Sequence, residues 1–599
     1  MTEVSVWAPF ARSSVDLVLG DDRVPMRRDT GGWWRGELPE APGTAYAFAL
    51  DGGDPRPDPR SRRQPDGPHG RSVAFDPNGF GWTDQDWTGV QLPSSVIYEL
   101  HIGTFTAEGT FDAAIERLGH LVELGVDLVE VMPVASFPGR HGWGYDGVDL
   151  YAVHEPYGGP LALQRFVDAC HVRGLGVCLD VVYNHLGPDG NYLGEFGPYF
   201  TDRYVTPWGQ ALNLDGPGSD EVRRFVLDNV TQWLRDFHID ALRLDAVHAL
   251  VDDRALPLLE EMEREVEALA AEVNRPLWLI AESDRNDPRT VTRRTPDPDA
   301  GGGLGLHAQW ADDVHHALHV LLTGETFGYY ADFADPGALA KVLTTPFFHD
   351  GTWSSFRGRL HGRPVDTGRL EGWRFVASLQ THDQVGNRAV GERLSALVSP
   401  GLLACGAALL LTSAYTPMLF MGEEWGASTP WQYFTDHTDP ALAQAVREGR
   451  RNEFASHGWD RADVPDPQSA ETVDRSRLAW DELTREPHAR ILAWYRALLT
   501  LRRERADLRE PHLGAVGVSH DVDAGTAVVQ RGRHLVAVNL SAGPRVLDLA
   551  GLAAEGDRRD VGDDTAYRLV LAAWDGGTAI TDDGRLTLPG ESAVVIGPA

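Results

Sequence analysis

Between residues 96 and 421, short apolar runs alternate with helical stretches, and this rhythm constrains the fold more than any other feature. The eight runs occupy residues 96–100, 128–131, 177–182, 241–244, 277–280, 305–309, 375–379 and 418–421. Apolar residues recur at helical spacing between them, over 111–124, 162–173, 220–237 and 256–273. Strands that alternate with helices indicate parallel βαβ units, and eight units close into a (β/α)8 TIM barrel. The alternative is a doubly wound open sheet, but no Gly-x-Gly-x-x-Gly motif follows an early strand.

Short strands with turns flank this region on both sides. Residues 1–90 predict an N-terminal β-sandwich of a carbohydrate-binding type, because apolar and polar residues alternate between Gly and Pro turns. Residues 501–599 return to the same pattern and predict a C-terminal β-sandwich. The barrel, with loop insertions, would then occupy residues 91–500. The expected fold class is α/β.

The charge balance argues against polyanionic partners. The chain has 88 Asp and Glu against 54 Lys and Arg, a formal net charge of −34, whereas nucleic acid and anionic membranes need a basic face. A neutral polymer is compatible with this charge. Cys170, Cys178 and Cys405 lie in apolar runs and provide neither a disulfide framework nor a zinc pair. The first residues lack the basic start of an export signal, so we expect a cytoplasmic protein.

Residues 396–422 carry no charge and are long enough to span a bilayer. Ser399, Pro400 and Pro417 interrupt this segment. A buried helix over 402–411 followed by a buried strand over 418–421 is therefore the better interpretation, and no membrane partner is expected.

Polar residues follow four of the predicted strands. In a TIM barrel the working residues lie at the carboxyl ends of the strands. The residues at these ends are Asn184, His185, Arg243, Asp245, Glu282, His382 and Asp383. A lone carboxylate after a strand is usually a helix cap or a solvated charge. Three carboxylates at one barrel mouth would repel each other, which favours a catalytic use.

This set suits glycoside cleavage, which needs one ionised carboxylate as nucleophile and one protonated carboxyl as acid. Arg243 should keep Asp245 ionised, because an opposite charge within a few ångström favours the charged form. Glu282 should face Asp245 across the mouth, where that negative charge and the apolar strand before it favour the protonated form. Asp383, with His185 and His382, would hold sugar hydroxyls.

The loops around this mouth are rich in aromatic residues, and the apolar faces of sugars stack on such rings. Trp143, Tyr145 and Trp310 lie in polar contexts, which favours a binding role for them. Any one of the others is more often a core residue, and these are Tyr192, Phe196, Tyr199, Trp208 and Trp425.

Four ordered segments resemble the signature regions of the α-amylase superfamily (glycoside hydrolase family 13). They lie at 180–185, 242–248, 280–283 and 382–383. Their order and spacing are similar to those of the family, and the flanking β domains extend the resemblance to nearly the whole chain. Further segments, at 187–192, 282–289, 309–316, 384–388, 420–426 and 432–437, resemble the trehalose-releasing hydrolases of this family.

The resemblance implies hydrolysis of the α-1,4 bond next to the terminal trehalose of maltooligosyltrehalose, with retention of configuration. Family roles carry over as Asp245 nucleophile, Glu282 acid and base, and Asp383 transition-state stabiliser. The residues that would contact substrate are Tyr145, His185, Arg243, Leu244, Ala246, Val247, His248, His307, Gln309, Trp310, Asp312, Asp313, His382, Gln384, Val385, Gly386 and Asn387. The resemblance also implies a pathway link to a maltooligosyltrehalose synthase, with no indication of physical contact. No cofactor is expected.

Two positions bear on how closely the chain follows the family. Thr381 stands where the family often has Asn, which affects the positioning of His382. Asn184 matches a position that binds structural calcium in many amylases. No carboxylate cluster on a neighbouring loop would complete an oxygen cage, so no metal is expected.

Two other functions fit parts of the pattern. A glucan branching or debranching enzyme of the same superfamily would share the barrel and the N-terminal sandwich, and would make or break α-1,6 links. A barrel retained only as a carbohydrate-binding module would be expected to lose its nucleophile or its acid, and both are present here.

Overall fold

A closed barrel of eight parallel strands forms the centre of the protein, which confirms the predicted TIM barrel. The computed structural model describes residues 2–39, 43–294, 302–456, 463–549, 567–582 and 584–598. The barrel strands, numbered 1 to 8 in chain order, are Ile97–Leu100, Leu128–Val131, Gly176–Val181, Ala241–Leu244, Trp278–Ala281, Ala308–Trp310, Phe375–Ser378 and Thr416–Phe420. Strand 8 pairs with strand 1 and closes the ring.

Helices follow the strands and form the outer layer. Their bounds are Ile102–Phe105, Phe111–Ile115, Leu118–Leu124, Gly159–Val172, Leu193–Phe196, Ser219–Thr231, Leu258–Val273, Asp312–Thr323, Ala338–Thr344, His382–Gly386, Leu394–Leu397, Pro400–Leu411, Pro440–Ser456, Ala470–Arg475, His488–Glu504 and Ala506–Arg509. The helix predicted over 111–124 is two helices. In the turn between them, the N–H of Arg117 donates to the carbonyl oxygen of Ala114, and the N–H of His120 donates to that of Arg117. Each of these bonds spans three residues instead of the four of an α-helix.

Alternation along the strands gives the barrel interior two levels. At the lower level each strand contributes one residue to an apolar cluster: Ile97, Leu128, Cys178, Ala241, Ile280, Ala308, Val376 and Met418; Trp310, from the level above, belongs to the same cluster. Because side chains alternate between the two faces of a strand, the residue two positions further along also points inward. This upper level consists of Glu99, Glu130, Asp180, Arg243, Glu282, Trp310, Ser378 and Phe420. Ionisable groups are therefore concentrated beneath the carboxyl ends of the strands.

In the described part of the chain, antiparallel sheets lie before and after the barrel. The first two sheets consist of Thr2–Trp7, Trp33–Leu38 and Arg27–Arg28, and of Asp22–Pro25, Val15–Leu19, Ala45–Leu50, Pro55–Arg56 and Ser72–Val73. The last two consist of Val516–Asp521, Thr526–Arg531, His534–Asn539, Ser592–Pro598 and Tyr567–Ala573, and of Arg545–Asp548, Arg585–Leu588 and Ala579–Ile580. The expected extra β-rich regions are present, while the domain boundaries near residues 90 and 500 stay a prediction.

Three two-stranded hairpins extend the loops that follow strands 2, 3 and 6. They pair Ala135–Ser136 with Asp149–Val153, Phe200–Thr206 with Gly209–Leu212, and Thr352–Ser354 with Arg359–His361. The first two lie in the loops directly after strands 2 and 3, whereas the third follows two helices after strand 6, and its Arg357 pairs with Asp284, just beyond the carboxyl end of strand 5. They therefore add walls to the mouth, where the predicted site residues also lie.

The uncharged segment over 396–422 is a buried helix followed by strand 8, as predicted. The helix begins after Ser399, whose hydroxyl accepts the N–H of Leu402 at 3.2 Å, and Pro400 takes the first helical position. Among the described residues, no helix combines the length and the apolar character needed to cross a membrane.

Candidate active site

Asp245 follows strand 4 and is held by donors on both of its carboxylate oxygens. The guanidinium of Arg243 donates to Oδ1 at 2.7 Å, and the amide of Asn184 donates to Oδ2 at 2.6 Å. The backbone N–H of Asp245 bonds to Val181 O at 3.1 Å, which ties this turn to strand 3. The carboxylate is thus fixed in orientation and its negative charge is compensated by a neighbouring cation.

Glu282 follows strand 5, which is the hydrogen-bonded neighbour of strand 4. Its Oε2 accepts the backbone N–H of Ala246 at 2.5 Å and lies 3.6 Å from Nη2 of Arg243. Burial raises the pKa of Glu282 to about 8; the Arg243 charge opposes this rise and the Asp245 charge adds to it. At neutral pH Glu282 is therefore protonated. Because Oε2 accepts an N–H, the proton belongs on Oε1.

The backbone of Ala246 is in the left-handed region, with φ 39° and ψ 50°. A non-glycine residue in such a conformation costs on the order of 1–3 kcal/mol and is held by its surroundings. Here the conformation turns the chain directly after Asp245 and aims the Ala246 N–H at Glu282. The strained turn thus links the two carboxyl groups through consecutive residues.

Arg243 is the hub of the buried charges. Its side chain is 2% exposed, and Nη1 donates to both oxygens of Asp180, at 3.0 and 2.9 Å, as well as to Asp245. The Trp310 ring lies over the guanidinium at 4.4 Å, a cation–π contact. Burial raises the pKa of Asp180 to about 6, although Arg243 opposes the rise. One guanidinium therefore touches the two carboxyl groups predicted to do the chemistry and braces a third.

Asp383 lies near the start of the short helix His382–Gly386 and is exposed at the mouth. The hydroxyl of Thr381 accepts the Asp383 N–H at 3.2 Å, and Gln384 returns to accept the Thr381 N–H at 3.0 Å, which is a capping box. Asn387 donates to Asp383 Oδ1 at 2.7 Å. The departure at Thr381 is thus used as a helix cap that positions His382 and Asp383.

Tyr145 and two histidines complete one side of the mouth. The Tyr145 hydroxyl lies 2.7 Å from Asp180 Oδ2 and 2.9 Å from Nε2 of His382, and its ring stacks on His382 at 5.2 Å. His185 lies between Asn184 Oδ1, at 2.5 Å, and the backbone oxygen of Tyr145, at 2.9 Å. These contacts join the loop after strand 2 to strands 3 and 7.

Other residues predicted to contact substrate lie at or beside the mouth. Asp312 follows strand 6, and burial together with the nearby Asp383 charge raises its pKa to about 7. Val247 and His248 line a cleft of about 420 Å³ next to Glu282, together with Ser283.

Other residues predicted to contact the substrate are not free to do so. Some have their polar atoms hydrogen-bonded to other residues, and others are packed in the core. Asp313 Oδ2 accepts from Asn286 and from the N–H groups of Phe348 and His349, at 2.7–3.0 Å. Leu244 and Val385 are buried apolar residues. A Cβ on Gly386 would lie 2.0 Å from the ring of Trp143, so this position requires glycine.

His307 and Gln309 are not brought to the mouth. His307 precedes strand 6, at its amino end, and its Nδ1 accepts the Leu279 N–H at 2.9 Å. Gln309 lies between two residues of the interior cluster, Ala308 and Trp310, so alternation turns its side chain towards the outer face. His307 is thus partly buried at the amino end of strand 6, and Gln309 is buried on the outer face of that strand.

Most of the aromatic residues named for the mouth are buried in the core, and one has an exposed ring. Trp143 is buried and stacks on Trp431 at 4.6 Å, so it supports the mouth from below. Phe196, Tyr199 and Trp425 are buried as well. Trp208, on the hairpin after strand 3, is 47% exposed and stacks on His185 at 5.0 Å. Trp208 is therefore better placed than Trp143 to offer a ring to a sugar.

Sequence reasoning missed the acidic residues beneath the mouth. Glu99 on strand 1, Glu130 on strand 2 and Asp180 on strand 3 are all buried. Each interrupts an apolar strand at an inward-facing position. An acidic residue at the next-to-last position of such a strand was the signal available for finding them.

Asn184 bears on whether the site could hold a metal ion. Both polar atoms of the Asn184 amide are used by Asp245 and His185. Within the described ranges, no group of three or more His, Cys, Asp or Glu residues is arranged to hold a metal ion. The expectation of no metal and no cofactor stays a prediction.

Comparisons with known proteins place these features among α-amylase-type enzymes. The family model for the alpha amylase catalytic domain matches residues 75–201. Malto-oligosyltrehalose trehalohydrolase from Arthrobacter ramosus is 57% identical over 547 residues, 90% of this chain and 93% of that protein. The enzyme of the same name from Brevibacterium helvolum is 47% identical over 99% of this chain and 98% of its own length. A crystal structure from Salmonella typhimurium that carries an alpha amylase assignment matches with a TM-score of 0.87 and 37% identity, over 99% of this chain and 97% of that chain.

Proposed function

The chain belongs to the malto-oligosyltrehalose trehalohydrolase family, and we propose that it hydrolyses the α-1,4-glucosidic bond next to the terminal trehalose of maltooligosyltrehalose. Free trehalose and a shortened maltooligosaccharide are the products. The observation that carries the proposal is the position of Arg243, which contacts Asp245 at 2.7 Å and Glu282 at 3.6 Å. One cation thereby holds the proposed nucleophile and the proposed acid together on neighbouring strands.

In the first step, Asp245 attacks the anomeric carbon of the maltooligosyl unit while Glu282 protonates the glycosidic oxygen. Trehalose leaves with that proton, and the maltooligosyl chain is held as an ester of Asp245. In the second step, ionised Glu282 takes a proton from water, which attacks the same carbon and releases Asp245. Two displacements at one carbon retain its configuration. The raised pKa of Glu282 supports the acid role, since burial favours its protonated form at neutral pH.

Asp383 is proposed to stabilise positive charge that develops on the cleaved sugar ring. Its exposure at the mouth and its fixed orientation through Asn387 support this role. Tyr145, His185 and His382 would bind the cleaved ring. The cleft beside Val247, His248 and Ser283 offers room for neighbouring sugars. Ala246, Trp310 and Asp312, which also lie at the mouth, are proposed to contact the substrate. Substrate contacts by the other predicted residues stay a prediction.

The test is incubation with maltooligosyltrehalose and, separately, with a plain maltooligosaccharide of equal length, followed by sugar analysis. We expect free trehalose from the first substrate. Asp245→Asn and Glu282→Gln should each lower the rate by orders of magnitude, whereas Asp220→Asn, whose side chain is 86% exposed on the helix Ser219–Thr231, serves as a matched control. New or lost α-1,6 links without trehalose would identify a branching or debranching enzyme. Binding without turnover would identify a carbohydrate-binding module.

We also propose that the protein works in the cytoplasm. All three cysteines are buried and unpaired, which supports a reducing compartment such as the cytoplasm. A synthase that forms the terminal trehalose linkage would supply the substrate, and no contact with it is proposed. Cell fractionation with an antibody against the chain tests the location; recovery in the extracellular fraction would contradict it.

A further inference from the structure

Glu99 is a buried acid beneath the mouth that the reaction as described does not use. It lies on strand 1, with its side chain 1% exposed, and pairs in register with Glu130 of strand 2. Glu99 Oε1 lies 2.5 Å from Nδ1 of His382, and Oε2 accepts the backbone N–H of His382 at 3.0 Å. The Glu99 carboxylate therefore binds both the ring and the backbone of His382, the residue directly before Asp383.

The other nitrogen of the His382 ring meets a hydroxyl whose own proton is committed. The Tyr145 hydroxyl lies 2.7 Å from Asp180 Oδ2, and both oxygens of Asp180 accept from the Arg243 guanidinium. A hydroxyl has one proton, so when it donates to Asp180 it can only accept from His382. Nδ1 donates to Glu99 and Nε2 donates to Tyr145. With both nitrogens donating, the His382 ring is an imidazolium.

The charges around His382 agree with this assignment. Burial lowers the pKa of His382, but the Glu99 contact and the Asp383 charge outweigh it and raise the pKa to about 9. The titratable and charged groups that face the ring are Glu99, Glu130, Tyr145, Asp180, Arg243, Asp383 and His101. Acids outnumber cations in this set. Glu99 makes the shortest contact and is the acid with the largest effect on the ring.

We propose that Glu99 is a positioning residue that keeps His382 protonated and oriented, so that a cation stands beside Asp383 at the floor of the mouth. Glu99 acts through His382 and does not touch the sugar. This inference rests on the proposed function, because its kinetic readout is trehalose release. A fixed cation there balances the carboxylates at the mouth, and its two hydrogen bonds hold the His382 ring in a single orientation.

Glu99→Gln is the variant that separates charge from shape. The amide keeps the size of the side chain and can accept one N–H, but its neutral group cannot hold a buried imidazolium. His382 should lose its proton at a lower pH. We expect kcat/KM at pH 8 relative to pH 5.5 to fall at least about tenfold compared with the wild type, because activity drops about tenfold for each pH unit above the governing pKa.

Glu424→Gln is the matched control. Glu424 is also buried, and it accepts from His120 at 2.7 Å and from Tyr98 at 3.1 Å, outside the mouth. Glu424→Gln should lower the free energy of unfolding about as much as Glu99→Gln does, but its kcat/KM should depend on pH as in the wild type. In a background of His382→Gln, Glu99→Gln should cost little more, since the two residues act as a unit. An unshifted profile in Glu99→Gln, or full additivity with His382→Gln, would overturn the proposal.

Neutron diffraction on the wild type at pH 7 tests the same claim without a variant or a substrate. We expect deuterium on both ring nitrogens of His382. Deuterium on one nitrogen alone would overturn the proposal, even if Glu99→Gln failed to fold. If the wild type releases no trehalose, the proposed function fails while this measurement still decides the protonation of His382.

Discussion

Removal of the Arg243 charge should destabilise the barrel strongly, because the guanidinium is the main cation among buried carboxyl groups. The Asp180 side chain is 1% exposed, and in Arg243→Met the Tyr145 hydroxyl is the one hydrogen-bond partner that the described residues leave it. Breaking a buried ion pair by removing one partner costs about 3–5 kcal/mol. Urea unfolding followed by tryptophan fluorescence measures this loss, with Asp180→Asn and the double variant alongside.

The double variant Arg243→Met/Asp180→Asn should recover stability, because it leaves no unpaired charge at Asp180. We expect a recovery of about 2 kcal/mol relative to the sum of the single changes, within the range of direct contacts. Without Arg243, burial and the Asp245 charge are the largest remaining effects and raise the pKa of Asp180 further, so the folded protein holds a proton there that the unfolded chain has lost. The penalty of Arg243→Met should therefore be small at low pH and grow as the pH rises through the pKa of Asp180, which Arg243 keeps near 6 in the wild type.

A cost below about 1 kcal/mol for Arg243→Met, as for an exposed ion pair, would refute this reasoning. So would a double variant whose loss equals the sum of the two single losses. A penalty that does not change between pH 5 and pH 8 would refute the protonation argument alone.

The remaining predictions concern the acid and the helix beside it. The kcat/KM of the wild type should fall as the pH rises through about 8, where Glu282 loses its proton, and a flat profile up to pH 10 would contradict the acid role. Thr381→Ala should lose about 1 kcal/mol of unfolding free energy and lower kcat, while Thr381→Ser keeps the cap; equal behaviour of the two would argue against the capping box. Gly386→Ala should cost about 1–3 kcal/mol, because its Cβ would lie 2.0 Å from the Trp143 ring, and thermal unfolding measures the loss.

The barrel was predictable because its strands interrupt helical stretches in a regular order. Buried parallel strands need continuous apolar residues, and the loops between them need polar ones. The bounds of the sixth strand were predicted least accurately, since the strand spans Ala308–Trp310 and not 305–309. Gly305 has a φ of 88° and lies against Glu263 and Arg294, so the chain is still turning where a strand was expected.

The site was predictable to the extent that it follows strand ends. Asp245, Glu282 and Asp383 could be singled out because a carboxylate after a barrel strand points to the mouth. The hydrogen-bond partners of the site residues could not be predicted in this way. Glu99 reaches His382 across 283 residues of sequence, and Thr381 became a cap only when the following chain turned into a helix. Such contacts depend on closure of the barrel, which brings strands 1 and 7 close to each other through strand 8.

The proposed reaction assigns the covalent bond to the sugar to Asp245 and the proton transfer to Glu282. Glu282→Gln incubated with α-maltotriosyl fluoride tests it most directly, because fluoride leaves without an acid and the missing base slows the second step. Mass spectrometry of a proteolytic digest should find a maltotriosyl group on the peptide that contains Asp245. A group on another carboxylate, or free product of inverted configuration with no adduct, would contradict the account.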